Sequence, residues 1–338
     1  MLRKALNELT LSVRINGLSP LLVKDGRESK EKGDKERPAM VFQSRLTRED
    51  LDRADWPNVA CSQFFVPGSS IRGAWRSHLE KVLRSFDEPP KVCDPFAGIG
   101  PEDDDEVRKA AEEARADASC SSRLANKEGS APPHAYRDSC PICQLFGNTA
   151  QGSRIAFGEG KITGGKPALI DNNAISRQTG AAISPFKSLV LLEAEIETEV
   201  QLRNFELWQV GLLAHLFDDL KNGLVRLGSG KSKGWGRVTA QVTAMKLTYF
   251  GLDNRFVENR LLGVGEMLPA EIASRYGMAC CEEPPEMPKN TADPSSPPWR
   301  HSATITDPAA FWNACRPCFS KKAWDAVRPL AARRERAS

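Results

Sequence analysis

Residues 9–16 read LTLSVRIN, an unbroken alternation of apolar and polar side chains. The apolar positions are Leu9, Leu11, Val13 and Ile15. Successive side chains of a β-strand point to opposite faces, so a period of two predicts a strand with one buried and one solvated face. We therefore expect this stretch to be a strand of a half-buried sheet.

Three further segments extend this sheet. Residues 154–157 are a short apolar run, and residues 190–200 and 238–244 alternate in the same way as the first strand. The strand at 190–200 has one acidic face, formed by Glu193, Glu195, Glu197 and Glu199.

Two amphipathic helices are predicted between the strands, over residues 69–86 and 205–221, because apolar side chains recur there at helical spacing. The resulting order is strand, helix, strand, strand, helix, strand. This is the order of the α+β ferredoxin-like fold, an antiparallel sheet with two helices on one face. The RRM has the same architecture and binds RNA on its open sheet face, but the order alone does not assign a function.

Composition sets limits on class and location. The chain has 338 residues, of which 40% are hydrophobic, enough for a core. It lacks a run of 18 apolar residues, and its N-terminus turns polar too early for a secretory signal, so we expect a soluble cytoplasmic protein with no membrane partner. The net charge is only +3, with 47 basic and 44 acidic residues, so any nucleic-acid surface must be local.

The predicted organisation is one core with additions. Residues 1–250 form the core, which an irregular insertion at 87–152 and a second loop at 164–187 interrupt. Residues 251–338 form a C-terminal extension. It contains a proline-rich linker, Glu282 to Trp299, and a basic tail.

Cysteines in the insertion predict a structural metal site. Cys140 and Cys143 have the spacing of a zinc knuckle, and Cys93, Cys120 and His134 precede them. An insertion with few apolar residues needs another source of stability, and zinc provides one. Five candidates compete for four positions, and we favour the four cysteines. A redox pair is the alternative, but the thioredoxin-like context is missing.

A second cysteine group is ambiguous. Adjacent cysteines are awkward ligands for one ion, so this group is either another metal site or a set of unliganded thiols: Cys280, Cys281, Cys315 and Cys318.

The glycine-rich stretch Gly228–Arg237 is a candidate phosphate-binding loop. It is not a nucleotide-binding P-loop, because Val225 occupies the first glycine position and a strand follows instead of a helix. Its glycines let the backbone approach a phosphate chain, and the alternative is an ordinary turn. The side chains predicted to contact RNA are Lys231, Ser232, Lys233, Trp235 and Arg237.

A second anion site is predicted at the start of the first helix. Free N–H groups follow Pro67, with Ser69 and Ser70 beside them, and Arg72 and Arg76 lie one turn apart. Simple helix capping is an equally good interpretation.

Two carboxylates in the charged loop at 24–37 are candidate catalytic groups, Asp25 and Asp34. The four histidines lie elsewhere, which disfavours histidine-based RNA cleavage but leaves metal-assisted cleavage open. The alternative is that both carboxylates are solvated surface groups with no catalytic role.

Four stretches resemble one family. Residues 65–73 (FVPGSSIRG), 140–147 (CPICQLFG), 175–182 (ISRQTGAA) and 227–238 resemble, in this order, motifs of the CRISPR-associated RAMP superfamily. Specifically, they resemble the repeated Csm/Cmr-type backbone subunit of type III effector complexes, over roughly residues 8–250.

The resemblance implies a ribonucleoprotein role in antiviral defence. The chain would bind CRISPR RNA beside other effector subunits. A thumb-like hairpin at 164–187, carrying Arg177 and Gln178, would wedge into the duplex of guide and target RNA. In catalytic members an Asp after the first strand cuts target RNA with a divalent metal such as Mg²⁺. Asp34, which precedes Pro38-Ala39-Met40, fits that pattern best, and Asp25 is second.

The resemblance leaves other roles open. The chain could be a non-catalytic structural RAMP subunit, or an endonuclease that processes the precursor of CRISPR RNA. A zinc-bearing interaction module with no RNA role is the remaining alternative.

Overall fold

The framework of the protein is a β-sheet. In the computed structural model, nine strands form one sheet among the described residues, which are 4–26, 38–47, 49–50, 58–87, 91–94, 118–125, 134–281, 283–321 and 324. The strands are β1 (Asn7–Gly17), β2 (Pro38–Met40), β3 (Phe65–Val66), β4 (Ile155–Phe157), β5 (Gly160–Ile175), β6 (Ala182–Arg203), β7 (Val238–Phe250), β8 (Asn290–Ala292) and β9 (Arg300–Ile305).

Helices cover this sheet and build the additions. Within the described ranges they are α1 (Gly68–Arg84), α2 (Cys120–Ala125), α3 (His134–Arg137), α4 (Pro141–Phe146), α5 (Leu207–Lys221), α6 (Val264–Met267), α7 (Ala270–Tyr276) and α8 (Pro308–Cys315). No helix among them combines the length and the apolar composition that crossing a bilayer requires.

Strand β1 lies at the centre of the sheet. It pairs antiparallel with β6 on one edge and with β7 on the other, and β4 and β5 pair antiparallel with β6 beyond it. Its four predicted apolar side chains are at most 1% exposed. The predicted α+β class with an antiparallel sheet is therefore confirmed, and the strand order is that of the ferredoxin-like arrangement.

One aromatic cluster joins the two main helices to the sheet. The ring of Trp75 on α1 lies edge-on to Phe157 of β4, with centroids 5.0 Å apart, and to Phe217 of α5, at 5.3 Å. Such contacts add to the burial of apolar area that holds α1 and α5 on one face of the sheet.

The C-terminal extension continues the same sheet. Strand β9 pairs with β7, and β8 pairs with β9, so the described part of the predicted linker, Glu282 to Trp299, contains a strand. The prolines of this segment flank β8 and none lies within it, so the proline-rich composition hid a short edge strand.

Helix α8 buries its apolar face on α5. Trp312 stacks on Phe217 at 5.1 Å, and a Cβ on Gly211 would lie 2.6 Å from the backbone nitrogen of Phe319. Only glycine permits this close approach. Because α5 is covered on two sides, it is apolar nearly all round, as expected of a buried helix.

The residues predicted as a hairpin form two long paired strands. Strands β5 and β6 pair from Lys161↔Glu197 to Ile175↔Ala182, with irregularities between Ile162 and Lys166 and between Asn172 and Ala174. The tip closes where the N–H of Gly180 donates to the carbonyl of Ser176 at 2.9 Å. Arg177 and Gln178 are exposed at this tip.

We predict that the extension contributes to the stability of the core. Phe311 of α8 is fully buried, so Phe311→Ala should lower the free energy of unfolding by about 3–5 kcal/mol. The matched control is Leu252→Ala in the same extension, which is 83% exposed and should change it by less than about 0.5 kcal/mol. Urea denaturation measures both, and equal effects would show that the extension does not share the core.

Candidate metal centre and nucleic-acid interface

Four cysteines from distant parts of the chain form one buried cluster. The Sγ atoms of Cys93, Cys120, Cys140 and Cys143 all lie within 4.8 Å of one another. That of Cys93 is 3.6 Å from Cys140 and 3.7 Å from Cys143. Four sulfurs bound tetrahedrally to zinc, each at about 2.3 Å, are about 3.8 Å apart. The donor set therefore fits zinc, which when bound would hold the insertion together.

Local backbone geometry orients these sulfurs. Cys140 caps helix α4, with its Sγ 3.5 Å from the N–H of Cys143. The N–H of Cys140 donates to Cys120 Sγ, and that of Cys120 to Cys93 Sγ, both at 3.1 Å. Donors aimed at sulfur stabilise thiolates, the form that binds metal.

Two guanidinium groups border the cluster. Arg76 Nη2 is 3.4 Å from Cys143 Sγ, and Arg123 Nη2 is 3.6 Å from Cys120 Sγ. Burial lowers the pKa of Arg76, but the thiolate of Cys143 and the carboxylate of Glu80 outweigh it, so the pKa is raised above its usual value. A zinc ion with four thiolates carries a net charge of −2, which these cations offset.

The fifth candidate ligand lies apart from the cluster. His134 is exposed, and its Nδ1 is 2.9 Å from the guanidinium of Arg137.

The second cysteine group is not gathered into a metal-competent cluster within the described residues. Cys280 Sγ donates to the carbonyl of Gly265 at 3.4 Å, and Cys281 Sγ to that of Glu283 at 3.3 Å. Cys315 is buried. This favours the interpretation as unliganded thiols.

A cleft of about 330 Å³ lies between α1 and the glycine-rich loop. Three segments far apart in sequence form its walls. The lining residues are Val23, Lys24, Ser70, Gly73, Ala74, Gly228, Ser229 and Lys231. Two stretches predicted separately as anion sites thus line one cleft.

The glycine-rich loop is held in shape by the segment that follows β1. The N–H of Ser229 donates to the carbonyl of Leu22 at 2.7 Å, and that of Gly236 to the carbonyl of Pro20 at 2.9 Å. Gly236 has a φ of +76°, and a Cβ there would lie 2.2 Å from the carbonyl oxygen of Leu227. The loop conformation therefore requires glycine at this position.

The cleft is electropositive. Burial, together with the positive charges of Lys81 and Arg226, lowers the pKa of Lys231. No acidic side chain is among the described lining residues. Such unbalanced cations suit a polyanion.

The sequence patterns did not point to Lys81 and Arg226 as neighbours of the cleft lysine Lys231. Lys81 lies 11 residues after Ser70, about three helical turns further along the same side of α1, so helical spacing from the lining residues could have indicated it.

Comparison with protein families decides the family. Residues 14–239, about two thirds of the chain, match the model of the RAMP superfamily. The chain belongs to the RAMP superfamily. Proteins of this CRISPR-associated superfamily bind CRISPR RNA in CRISPR complexes. No relative among curated proteins matches the chain.

Within this RAMP chain, several predicted RNA-binding side chains have partners inside the protein. The guanidinium of Arg72 donates to the carbonyl of Phe146, and Arg76 donates to that of Gly147 at 3.1 Å. Trp235 is only 8% exposed and contacts Gly230, so its indole is a packing residue.

The remaining predicted residues of the RAMP core differ in exposure. Ser69, Ser232 and Arg237 are exposed. Asp25 is half-buried next to Lys24 of the cleft, and its N–H donates to the carbonyl of Val41 at 3.0 Å. Asp34 lies outside the described residues.

We predict about one zinc ion per chain, bound by the four-cysteine cluster. Cys143→Ser should abolish zinc binding, because three thiolates and a hydroxyl do not make a closed structural site. Cys280→Ser is the matched control, since this exposed thiol lies outside the cluster, and it should retain the metal. Elemental analysis of purified protein measures both, and a full zinc content in Cys143→Ser would contradict the assignment.

Proposed function

We propose that this RAMP protein is a backbone subunit of a type III CRISPR effector of the Csm/Cmr kind, which holds CRISPR RNA for pairing with target RNA. The observation that carries the proposal is the cleft between α1 and the glycine-rich loop, lined by Lys24 and Lys231. Family membership supports the RNA ligand.

The chemistry of the cleft suits a phosphate backbone. Its walls offer serines, lysines and small side chains, but no aromatic or amide side chain among the described lining residues. Contacts to phosphates hold a strand without reading its sequence. A guide RNA needs this kind of contact, because its bases must remain free to pair.

The open face of the sheet is a poor RNA surface. Glu195, Glu197 and Glu199 of β6 are exposed there, and among the described residues only Glu197 of these three has an ion-pair partner, Arg14 of β1 at 2.9 Å. Like charge repels phosphate, so we assign RNA to the cleft and not to the face that RRM proteins use.

We further propose that the subunit cuts target RNA. The 2′-oxygen of one ribose would attack its adjacent phosphorus and expel the 5′-oxygen, leaving a 2′,3′-cyclic phosphate and a 5′-hydroxyl. Mg²⁺ held by Asp34 would stabilise the developing charge. Asp25 is the second candidate, and it directly follows Lys24 of the cleft wall.

A precursor-processing endonuclease that uses histidine is less well supported. None of the four histidines lines the described cleft. His78 Nε2 is 2.7 Å from Asp219, and the ring of His215 lies against Phe319. A non-catalytic structural subunit is the closer alternative, and cleavage assays separate it from a nuclease.

Lys231→Met tests the RNA site. Loss of one phosphate contact should weaken RNA binding about fivefold at 0.1 M salt and reduce the slope of log affinity against log salt by about one. Lys289→Met, an exposed lysine beside β8 at the far edge of the sheet, is the control and should change neither quantity. Fluorescence anisotropy with single-stranded RNA measures both variants, and identical behaviour would contradict the proposed site.

Asp34→Ala tests cleavage. In the reconstituted complex with Mg²⁺ this variant should bind target RNA normally but lose one discrete cut, because the carboxylate acts on the metal and not on RNA affinity. Asp25→Ala serves as the comparison and should retain the cut. Gel analysis of labelled target RNA measures the products. Cuts that persist in both variants would leave the subunit a guide holder without nuclease activity.

A further inference from the structure

The two lysines of the glycine-rich loop lie two residues apart but face different surroundings. Lys231 lines the cleft, where its positive neighbours are Lys81 and Arg226. Lys233 points to the β5–β6 hairpin. Its Nζ donates to Asn172 Oδ1 at 2.6 Å and lies 5.1 Å from the ring centroid of Phe186.

The partners of Lys233 face each other across the hairpin. Asn172 on β5 and Phe186 on β6 are direct register partners. The third partner is the ring of Trp235 in the glycine-rich loop itself, 5.3 Å from Nζ. One ammonium group therefore contacts both strands of the hairpin and the loop, an arrangement we call the Lys233 clamp (Lys233, Asn172, Phe186 and Trp235).

The acceptor in the clamp is fixed in orientation. Asn172 is 7% exposed, and its Nδ2 donates to the carbonyl of Ile170 and to Ser188 Oγ, both at 3.0 Å. Both amide protons are thus used inside the hairpin, which directs Oδ1 to Lys233. The backbone of Lys233 is fixed as well, because its N–H donates to the carbonyl of Gly230 at 2.9 Å.

The clamp contacts the hairpin between irregular parts of its pairing, because the register also shifts between Ile162 and Lys166, on the side nearer the sheet. The register shifts between Asn172 and Ala174, just beyond the clamp, and the tip begins at Ser176. About 13 Å of strand separates Asn172 from the tip. A contact at Asn172 limits how far the hairpin bends at the irregularities nearer the sheet, between Ile162 and Lys166, because a bulge lets a strand bend. It therefore holds this part of the hairpin against the glycine-rich loop.

We propose that Lys233 is a positioning residue that couples the glycine-rich loop to the hairpin, whereas Lys231 binds phosphate. RNA held in the cleft then meets the hairpin tip at one defined nucleotide position. The positioning role rests on the proposed RNA function, but the coupling itself is a property of the free protein. The two can therefore be tested separately.

Hydrogen exchange of the free protein tests the coupling. Lys233→Met should speed exchange of the backbone amides around Asn172 and Phe186 by about tenfold, because the hairpin loses a charge-assisted anchor. Lys231→Met, two residues away, should leave these amides unchanged. Lys233→Arg keeps the charge, a donor and the stacking surface, so it should restore protection. Unchanged exchange in Lys233→Met overturns the inference, whatever happens with RNA.

Photocrosslinking to RNA tests the positioning. With p-benzoylphenylalanine in place of Gln178 at the tip, we expect crosslinks at one nucleotide position, and Lys233→Met should spread them over several. For Lys233→Met, the slope of log RNA affinity against log salt should match that of the unsubstituted protein. A slope reduced by about one, as for Lys231→Met, would make Lys233 a phosphate ligand and overturn the assignment. If no RNA binds at all, the proposed function and the positioning role both fail, while hydrogen exchange still decides the coupling.

Discussion

The central position of β1 is the constraint on which the rest of the structure depends. Hydrogen bonds on both edges, to β6 and β7, leave β1 no freedom to shift, and a shift of one residue would turn its apolar face to solvent. The chain that leaves β1 is therefore held in one place. Its Leu21 pairs with Leu191 of β6, and the carbonyls of Pro20 and Leu22 accept from the glycine-rich loop. The cleft is a consequence of this docking.

The metal centre and the cleft share helix α1. Arg72 and Arg76 reach from α1 to the carbonyls that end α4, and Arg76 also borders the cysteine cluster. The opposite side of the same helix contributes Ser70 and Ala74 to the cleft. The insertion therefore stabilises the helix that forms one wall of the proposed RNA site, although none of its described residues lines the cleft.

A buried polar network connects the insertion with the C-terminal extension. Tyr136 of α3 donates to Glu206, and Arg154 lies 4.0 Å from the Tyr136 ring centroid and 3.4 Å from the Glu206 carboxylate. Gln209 donates to the Tyr136 hydroxyl at 3.2 Å, and the N–H of Ala279 donates to Glu206 at 2.7 Å. Burial raises the pKa of Glu206, and the positive charge of Arg154 opposes this shift. Such networks stabilise one arrangement because each member needs the others.

Local patterns in the sequence were enough for the α+β class, the two main helices and the Cys140–Cys143 knuckle, but not for β5, most of whose residues were predicted as part of a loop. Alternation and helical spacing report which side of an element is buried, and they depend on neighbours only a few residues away. The sequence did not determine whether Cys93 and Cys120 or His134 complete the zinc site. The tertiary structure does, because it brings Cys93 and Cys120 next to Cys140.

Long-range packing decided the rest. The glycine-rich loop was recognisable, but its composition did not reveal that Trp235 is buried, that the charges of Lys81 and Arg226 act on Lys231, or that Lys231 and Lys233 face different partners. The proline-rich segment near β8 read as a linker, although it joins the sheet edge. A side chain's type and spacing limit what it can bind, whereas contacts with residues far along the chain determine which partner it meets.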